Sequence, residues 1–185
     1  MAAKNILITG RPGSGKSTLI KKLITFCQHE NQPLGGISTP EIRVSGRREG
    51  FWIIDLISGQ KDQMATRGAN VPPFVGRYSV DLEVIDRIGV RAIQQAIEND
   101  VSVIFIDEIG KMELLSPKFC EIIEQALATQ RVIGTIGRFK HPFISKIQSR
   151  DDTKVLEIEN NFSTLLKDLQ EILKKSFVKT YWDLE

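Results

Sequence analysis

The sequence predicts an α/β fold, with a mostly parallel sheet flanked by helices and an antiparallel hairpin inserted in it. Three observations support this prediction. Short apolar runs of strand length alternate with stretches in which apolar residues recur at helical spacing. The first apolar run passes through a glycine-rich turn into the first helical stretch. A turn-rich segment at residues 45–50 separates two strand-like runs, which is the pattern of a hairpin.

Composition and charge limit the kind of protein this can be. The 185 residues are 41% hydrophobic and 26% charged, which is ordinary for a globular chain with one domain and a small insertion. A net charge of +2 is too small to indicate a nucleic-acid surface, so nucleic acid is not an expected partner. We predict one domain over 1–173, including a hairpin insertion at about 36–58, and a C-terminal tail over 174–185.

The same sequence features bear on location. No apolar run approaches the ~20 residues of a membrane span, and the chain enters its first strand too early for a signal peptide. Both cysteines, Cys27 and Cys120, fall on predicted apolar helix faces, where we expect reduced thiols rather than a disulfide. We therefore expect a cytoplasmic monomer without membrane contact, and the sequence indicates no particular protein partner.

The glycine-rich turn organises the rest of the chain. From Gly10 to Ser17 it reads GRPGSGKS, which fits the phosphate-binding P-loop or Walker A pattern G-x-x-x-x-G-K-[ST]. The context is the required one, because the apolar run 6–8 precedes the turn and a helical stripe that begins at Leu19 follows it.

Each residue type in this loop has a physical role. Gly10, Gly13 and Gly15 lack Cβ atoms, so the backbone can wrap closely around a polyphosphate with its N–H groups directed inward. Lys16 is predicted to reach the β- and γ-phosphates, and the Ser17 hydroxyl to hold Mg²⁺. The motif therefore predicts binding of a nucleoside triphosphate. The predicted nucleotide-binding residues are Gly10, Arg11, Pro12, Gly13, Ser14, Gly15, Lys16, Ser17 and Thr18.

The stretch after the first helix predicts extended structure. Strands are expected at about 36–44 and 50–58, and the turn residues between them join the two as a hairpin. The segment 60–78 is rich in glycine, proline and polar residues, so we expect it to wrap the surface with one or two short strands.

Helical spacing returns at residue 81. A helix is predicted from there, followed by a buried strand at 101–106, and then by a helix that begins at Ser116-Pro117, a pair typical of an N-cap and first turn. The remaining predicted elements are a strand at 131–136, a helix at 143–149, a strand at 155–158 and a last helix from Phe162.

Two carboxylates, Asp107 and Glu108, follow the buried strand. A carboxylate at the carboxyl end of a strand beside a P-loop can hold Mg²⁺, so Asp107 is the predicted Walker B residue and shares the metal with Ser17. Neighbouring strand side chains point in different directions, so Glu108 is predicted to reach the γ-phosphate and its attacking water. Alternatively Glu108 only caps the strand or forms a salt bridge, and Glu113 is then the next candidate base.

The octapeptide 107–114, DEIGKMEL, resembles the signature of the small P-loop nucleoside-triphosphatases of the thermophilic-phosphohydrolase (THEP) type. The resemblance covers about residues 5–165, and the octapeptide is far more specific when combined with the hairpin motif than the P-loop alone. Other stretches that resemble the family pattern are Gly36, Glu41-Ile42-Arg43, Gly46-Arg47, Gly50-Phe51, Val75-Gly76-Arg77-Tyr78 with Val80, and Val132 to Thr135.

This resemblance implies a P-loop NTPase fold with a RecA-like sheet. It also implies slow, Mg²⁺-dependent hydrolysis of nucleoside triphosphates such as ATP and GTP to diphosphate and phosphate, with a loose base preference. One position departs from the family pattern: near 159–161 the family usually has Asn-Arg, and here Asn161 replaces the arginine. A nucleotide contact made by that arginine must then be made otherwise, while Asn161 is equally suited to cap the last helix.

Transition-state charge on the γ-phosphoryl calls for a cation beyond Lys16. Candidates are Arg43 and Arg47 on the hairpin, Arg138 in a basic loop, and above all Lys111, because the turn after Glu108 should pass beside the phosphates. Hairpin arginines are alternatively just solvated. The predicted catalytic residues are Glu108, Lys16 and Lys111.

Other side chains remain open in their roles. Tyr78 and Phe139 are candidates to pack against the base, although both suit a core or rim position equally well. The two histidines, His29 and His141, lie in no Cys/His cluster, so a zinc site is not expected.

Two other functions compete with hydrolysis. A small kinase of the nucleoside-monophosphate type shares the P-loop and the size, and the basic stretch 138–150 would be its lid. Glu108 argues against a kinase, because it would promote the hydrolysis that a kinase must suppress. A nucleotide-controlled binding switch is the third hypothesis, and the aromatic C-terminal tail is its one candidate partner surface.

Overall fold

The computed structural model describes residues 5–158 and 161–182, with side chains described up to residue 175. Within these residues the chain begins as predicted, with a buried strand, a helix and a second strand. The apolar side chains of the helix recur every three or four residues, so one face is buried. The bounds are Asn5–Thr9 for β1, Lys16–His29 for α1 and Leu34–Ser38 for β2.

The predicted hairpin is present, but the single strand predicted over 36–44 is wrong. After β2 comes Pro40, and a separate strand, β3 (Glu41–Val44), pairs in an antiparallel manner with β4 (Arg47–Asp55). The run is interrupted because proline has no N–H to donate to a neighbouring strand. β2 belongs instead to the parallel part of the sheet.

The segment 60–78 contributes more to the sheet than predicted. β5 (Lys61–Arg67) pairs along β4, and the short strands β6 (Phe74–Val75) and β7 (Tyr78–Val80) extend the sheet further. The expectation of one or two short surface strands is therefore wrong. Sequence patterns missed β5 because only two of its seven residues are apolar and buried.

The helix predicted from residue 81 is divided into three parts. They are α2 (Leu82–Val84), a π-helical segment (Ile85–Val90) and α3 (Arg91–Glu98). The π-helical segment packs closely on β4, because a Cβ at Gly89 would lie 2.6 Å from Ile53 Cδ1. Helical periodicity predicts a helix here but not its local widening.

The second half of the chain follows the predicted alternation. Ser116 caps its helix as predicted, since its Oγ accepts a hydrogen bond of 3.1 Å from the Phe119 N–H. The last helix continues past residue 173, so the predicted tail begins within it, and the division into domain and tail stays a prediction. The elements are β8 Val103–Ile109, a 3₁₀ turn Glu113–Leu115, α4 Pro117–Ala128, β9 Val132–Ile136, α5 Pro142–Gln148, β10 Thr153–Glu157 and α6 Phe162–Trp182.

The described strands form one sheet in the order β10-β1-β9-β8-β2-β4-β5-β7-β6, with β3 paired to β4. Strands β10 to β2 are parallel, and the strands beyond β2 are antiparallel. The antiparallel part is thus larger than a single hairpin. Because the carboxyl ends of parallel strands meet at one edge, the P-loop after β1 and the end of β8 share that edge, with β9 between them.

Apolar side chains cover both faces of the parallel strands. Leu7 and Ile104 belong to one core cluster, whereas Ile8 and Phe105 belong to a second one that includes the buried face of α1. Alternation along each strand sends neighbouring side chains to opposite faces. This two-sided burial explains the continuous apolar runs in the sequence.

The two cysteines carry free thiols, as predicted. Cys27 is buried and Cys120 is half-buried, and burial raises the pKa of the Cys27 thiol to about 12. Across the described helices, none combines the length and apolar character needed to cross a bilayer.

Asn5 ties the start of β1 to two other elements. Its buried side chain donates to the Leu127 carbonyl (2.9 Å) and accepts from the Val132 N–H (3.1 Å). Asn5→Ala would leave the buried Val132 N–H without its acceptor, at about 1–3 kcal/mol, whereas the Leu127 carbonyl keeps the hydrogen bond from the Gln130 N–H (3.1 Å). We expect the free energy of unfolding in urea to fall by about 1–3 kcal/mol. Lys154→Ala, an exposed change on β10, should stay within about 0.5 kcal/mol, and equal losses in both variants would contradict this role of Asn5.

Candidate active site

The loop between β1 and α1 has the geometry of an anion site. Gly13 and Gly15 have φ values of +78° and +95°, which residues with side chains rarely adopt. Such conformations turn successive N–H groups toward one side, as in the nests that bind phosphate. Gly15 directly precedes α1, so the positive end of the helix dipole also points at the loop. The loop therefore offers backbone donors to a polyphosphate.

Two side chains of the loop fit the same purpose. The Lys16 ammonium donates to the carbonyl oxygens of Gly10 (3.0 Å) and Arg11 (3.3 Å), so it lies over the loop. The Ser14 hydroxyl is buried and has no hydrogen-bond partner among the described residues. Buried hydroxyls normally have a partner, and an anion held in the loop would supply one. Arg11 and Pro12 are exposed at the rim of the loop.

Strand pairing brings Asp107 to the P-loop. Its Oδ1 accepts hydrogen bonds from the hydroxyls of Ser17 (3.2 Å) and Thr135 (2.7 Å). Its backbone carbonyl accepts one from the Thr39 hydroxyl (2.7 Å). The Ser17 contact joins the Walker A and Walker B motifs directly, while Thr18, the last predicted P-loop residue, is exposed on α1.

Sequence patterns missed Thr39 and Thr135 as neighbours of Asp107. Thr39 follows Ser38, which pairs with Asp107, and Thr135 follows Gly134, which pairs with the residue before Asp107. Both threonines thus lie at the ends of the strands that flank β8. Polar residues at the carboxyl ends of predicted parallel strands are the signal that could have found them.

Asp107 and Glu108 are carboxyl groups with altered acidity. Burial raises the pKa of Asp107, and the hydrogen bonds from Thr135 and Ser17 and the charge of Lys16 oppose that rise. Burial also raises the pKa of Glu108, where the charge of Lys16 opposes the rise and the charge of Asp107 adds to it. Lys16 is thus the cation that acts on both carboxyl groups.

Glu108 has no fixed partner. The side chain is half-buried, and among the described residues its carboxylate forms no hydrogen bond and no salt bridge. A residue that only capped β8 or paired with a cation would show such a contact. The peptide bond between Asp107 and Glu108 is cis. A carboxylate that is partly desolvated, without a partner among the described residues and next to the buried Asp107 suits a base better than a structural role.

Glu113 lies deeper than the other two carboxyl groups. It is buried, and the backbone N–H groups of Gly110 and Glu113 donate to its side chain. A Cβ at residue 110 would lie 2.7 Å from Glu113 Oε2, so glycine makes room for the carboxyl. Burial, together with the charges of Glu108 and Asp107, raises the pKa of Glu113 to about 8. At neutral pH Glu113 is mainly protonated and supports the loop after β8.

Two of the predicted helper cations lie away from the strand-end carboxylates. Lys111 is exposed, and its ammonium lies over the Phe139 ring, 5.3 Å from the centroid. Arg138 forms a salt bridge of 2.5 Å with Glu157. In the part of the chain that the structure describes, neither cation contacts the carboxylates at the end of β8. A catalytic role for Lys111 stays a prediction.

The hairpin arginines are also separate from the P-loop. Arg43 donates to Glu41 at 2.8 Å, and Arg47 lines a different pocket together with Tyr78. The Tyr78 ring packs edge-on against Phe51, with centroids 5.4 Å apart. Tyr78 thus contacts the antiparallel part of the sheet, where sequence reasoning had left its position open.

The start of α6 borders the P-loop. A Cβ at Gly15 would lie 3.5 Å from the Phe162 ring, a contact that sequence patterns missed because the two residues are far apart in the chain. Asn161 precedes α6, and its carbonyl accepts a hydrogen bond of 2.9 Å from the Leu165 N–H, as an N-cap residue does. Residues 159 and 160, where the departure from the family pattern begins, lie outside the described residues.

The donors around Asp107 fit a hard divalent cation. A carboxylate and a hydroxyl are oxygen ligands of the kind that Mg²⁺ prefers, and Mg²⁺ usually takes few protein ligands besides substrate phosphates and water. Residues 5–158 and 161–182 contain no group of three or more His, Cys, Asp or Glu arranged to hold a metal. His141 is instead a helix cap, since its Nδ1 accepts a hydrogen bond from the Phe143 N–H (3.2 Å).

Comparison with known proteins places this site in a family. The sequence profile of a family described as NTPase matches residues 5–173. The chain belongs to the NTPase family. The nucleoside-triphosphatase THEP1 of Thermotoga petrophila is 45% identical over 171 residues, which cover 91% of this chain and 92% of that protein. The resemblance predicted from the octapeptide is therefore confirmed, and membership in the family implies a divalent cation in general.

Solved structures of NTPase relatives have the same fold. The crystal structure of THEP1 from the hyperthermophile Aquifex aeolicus superimposes with a TM-score of 0.79 at 31% identity, covering 91% of this chain and 98% of that one. The solution structure of a human cancer-related nucleoside triphosphatase gives 0.78 at 35% identity, covering 94% and 99%. The predicted P-loop NTPase fold class is confirmed.

The buried Glu113 leads to a prediction about pH and stability. Its pKa is about 8 in the folded protein, against an ordinary value of 4.5. The folded state binds this proton more tightly, so the stabilisation is fully present below pH 4.5 and is lost as the pH rises to about 8. Glu113→Gln resembles the protonated form. We expect it to be more stable than the wild type above about pH 8, with a difference that shrinks toward acid pH.

Urea unfolding of the nucleotide-free protein at several pH values, with a chelator present, measures this difference. Glu83→Gln, an equivalent change at an exposed position of α2, is the control and should leave the pH profile unchanged. Parallel profiles for the wild type and Glu113→Gln would show that Glu113 is not the group that couples protonation to folding.

Proposed function

We propose that the chain catalyses the Mg²⁺-dependent hydrolysis of nucleoside triphosphates, including ATP and GTP, to nucleoside diphosphate and phosphate. The observation that carries the proposal is the carboxylate pair at the end of β8. Asp107 is hydrogen-bonded to Ser17 of the P-loop, and Glu108 beside it is half-buried and unpaired among the described residues. Relatives named as nucleoside-triphosphatases support the same reaction.

The P-loop binds the phosphates. Its backbone N–H groups surround the β-phosphate, and Lys16, which lies over the loop, reaches the β- and γ-phosphates. These contacts use groups that all nucleoside triphosphates share. The broad base preference in this proposal follows from that, because the strongest contacts carry no information about the base.

Ser17 and Asp107 are the residues that hold Mg²⁺ in this proposal. When bound, the cation neutralises part of the charge on the β- and γ-phosphates. Thr135 fixes the Asp107 carboxylate, and Thr39 fixes the backbone of the same residue. Both threonines thereby act on the position of Asp107 rather than on the nucleotide.

Glu108 orients the attacking water and accepts its proton. The water oxygen forms a bond to the γ-phosphorus, the bond from the γ-phosphorus to the β–γ bridging oxygen breaks, and the water proton passes to Glu108. Burial raises the pKa of Glu108, which brings its basicity closer to neutral pH, where a general base is most effective.

The kinase alternative depends on the basic stretch 138–150 acting as a lid. This stretch contains α5, and three of its four lysine and arginine side chains would have to leave their present salt-bridge partners to reach phosphates. Exposed salt bridges are weak, so these pairs alone do not decide the question. Glu108 favours a hydrolase over a kinase or a binding switch, because a base at this place promotes attack by water. The pairs are Arg138 with Glu157, Lys146 with Glu124 and Arg150 with Asp152.

A cytoplasmic setting and a monomeric state are part of the proposal. The free thiols of Cys27 and Cys120 suit a reducing compartment, which is also where nucleoside triphosphates are abundant. Nucleoside triphosphates, the proposed substrates, are thus expected in the same compartment as the protein. The monomeric state rests on the sequence alone and is tested by measuring the mass of the protein in solution.

Glu108→Gln tests the central step. The change keeps the size and the hydrogen-bonding capacity of the side chain but removes the base. We expect turnover to fall by about 10²–10⁴-fold, while binding of nucleotide and Mg²⁺ survives or tightens as a negative charge leaves. Steady-state phosphate release from ATP, GTP, CTP and UTP, together with binding of a fluorescent triphosphate analogue, measures both effects.

Asp107→Asn is the matched comparison for Glu108→Gln. It makes the same chemical change one residue away, but it is expected to weaken the dependence on Mg²⁺ concentration as well as the rate. Adding candidate phosphate acceptors to the wild type tests the kinase alternative in the same assay. If Glu108→Gln hydrolyses as fast as the wild type, the base is another residue.

Lys16→Ala tests the assignment of the P-loop. The Lys16 ammonium faces the loop carbonyl oxygens and not the core, so we expect the variant to fold normally and to lose nucleotide binding or hydrolysis. Circular dichroism and thermal unfolding check the fold, and the binding assay above checks the site. Wild-type turnover by a folded Lys16→Ala protein would refute the assignment.

A further inference from the structure

A second pocket lies in the antiparallel part of the sheet, away from the P-loop. Its volume is about 450 Å³, and its walls come from the hairpin β3–β4, from the end of β5 and from the turn before β7. Five of its six lining residues are arginines. The lining residues are Arg43, Arg47, Arg48, Arg67, Arg77 and Tyr78.

The positive charge of this pocket is only partly compensated. Glu41 pairs with both Arg43 and Arg48, and Glu49 pairs with Arg67 at 3.3 Å. Two carboxylates therefore serve three of the arginines. The guanidinium groups of the other two, Arg47 and Arg77, are exposed and form no salt bridge or hydrogen bond with any described residue.

One donor in the pocket points to a missing acceptor. Arg48 Nε is buried and has no hydrogen-bond partner among the described residues, although the guanidinium lies 5.5 Å from the centroid of the Phe51 ring and pairs with Glu41 through another nitrogen. Buried polar atoms are normally paired. Guanidinium groups bind phosphate oxygens through two parallel hydrogen bonds, so phosphate is the anion that best matches a cluster of arginines.

The pocket is separate from the nucleotide site. Four strand spacings of ~4.8 Å separate β1, which leads into the P-loop, from β4, and five separate it from β5, which amounts to roughly 20 Å across the sheet. The cation whose charge opposes the rise in the pKa of Asp107 and Glu108 is Lys16, and not an arginine of this pocket. In the structure described, these arginines therefore lie apart from the P-loop.

We propose that this pocket is a second anion site, which binds a small molecule carrying two or more phosphate groups. The volume is that of a small-molecule site. One guanidinium group can bind two oxygens of a single phosphate group, and two guanidinium groups here have no carboxylate partner, so the pocket suits a ligand with more than one phosphate group. A nucleic-acid backbone would require a basic stripe, whereas the net charge of the chain is only +2 and the arginines are gathered in one pocket. The site does not depend on the proposed hydrolysis.

Inorganic pyrophosphate is the probe, and Lys16→Ala is the background, because that change weakens binding at the P-loop. Isothermal titration should show pyrophosphate binding to Lys16→Ala that falls at least tenfold when Arg47→Gln and Arg77→Gln are added. Arg91→Gln removes one positive charge from an exposed position on α3 and should change the affinity less than twofold. Arg47→Lys with Arg77→Lys keeps the charge without the two-pronged geometry, and an intermediate loss is expected.

Three results would overturn the proposal. The first is no pyrophosphate binding by a folded Lys16→Ala protein. The second is binding that the arginine changes and Arg91→Gln weaken equally. The third is binding of a single-stranded oligonucleotide through the same arginines without binding of pyrophosphate, which would make the pocket a nucleic-acid surface. Thermal unfolding of each variant shows whether it is folded. If the variant with both arginines changed to glutamine does not fold, the variant with both changed to lysine still tests the proposal.

Discussion

Parallel pairing of β8 with its neighbours is the constraint on which the site depends. Thr135 and Ser17 donate to Asp107 only because β9 and the P-loop strand end at the same edge as β8. A shift of one residue along β8 would turn Asp107 away and bring Ile106 or Glu108 into its place beside the P-loop. Apolar side chains on both faces of β8 prevent that shift, since each alternative register would bury the wrong residues. The packing of the apolar core thus fixes the positions of the polar side chains around Asp107.

The same burial determines the charge balance at the edge. Asp107 and Glu108 lie near the ammonium of Lys16, Glu113 lies near both of these carboxyl groups, and each of the three has a raised pKa. Protonation of Glu113 removes one negative charge from the group at neutral pH. Asp107 is stabilised as an acceptor by two hydroxyls, and Glu108 is left without a partner among the described residues. Environments that differ over a few residues therefore distinguish three similar side chains. One accepts from two hydroxyls, one has no partner among the described residues, and one is buried and mainly protonated at neutral pH.

The sequence allowed prediction of what is local. The P-loop, the apolar run of β8 and the Ser116 cap depend on residues within a few positions of one another, and all three are present. The break at Pro40, the strand β5 and the contacts of Thr39 and Thr135 depend on which strands become neighbours. Periodicity reports how one element is buried, but register between elements is decided by the packing of the whole sheet. The arginine pocket belongs to the same class, because its residues come from four separate strands.

β2 joins the parallel and the antiparallel parts of the sheet, because it pairs with β8 on one side and with β4 on the other. Ser38 pairs with Asp107 on one side and with Ile54 of β4 on the other, so one residue of β2 adjoins both Asp107 and the strand that leads to the arginine pocket. A ligand in the pocket influences Asp107 only to the extent that it favours one arrangement of β4 over another. Any such coupling is reciprocal, so nucleotide bound in the P-loop would change the affinity of the pocket by the same factor. Thr39 follows β2 and donates a hydrogen bond to the Asp107 carbonyl. Because the path through β2 is short, a change in this hydrogen bond would be the first sign of such coupling.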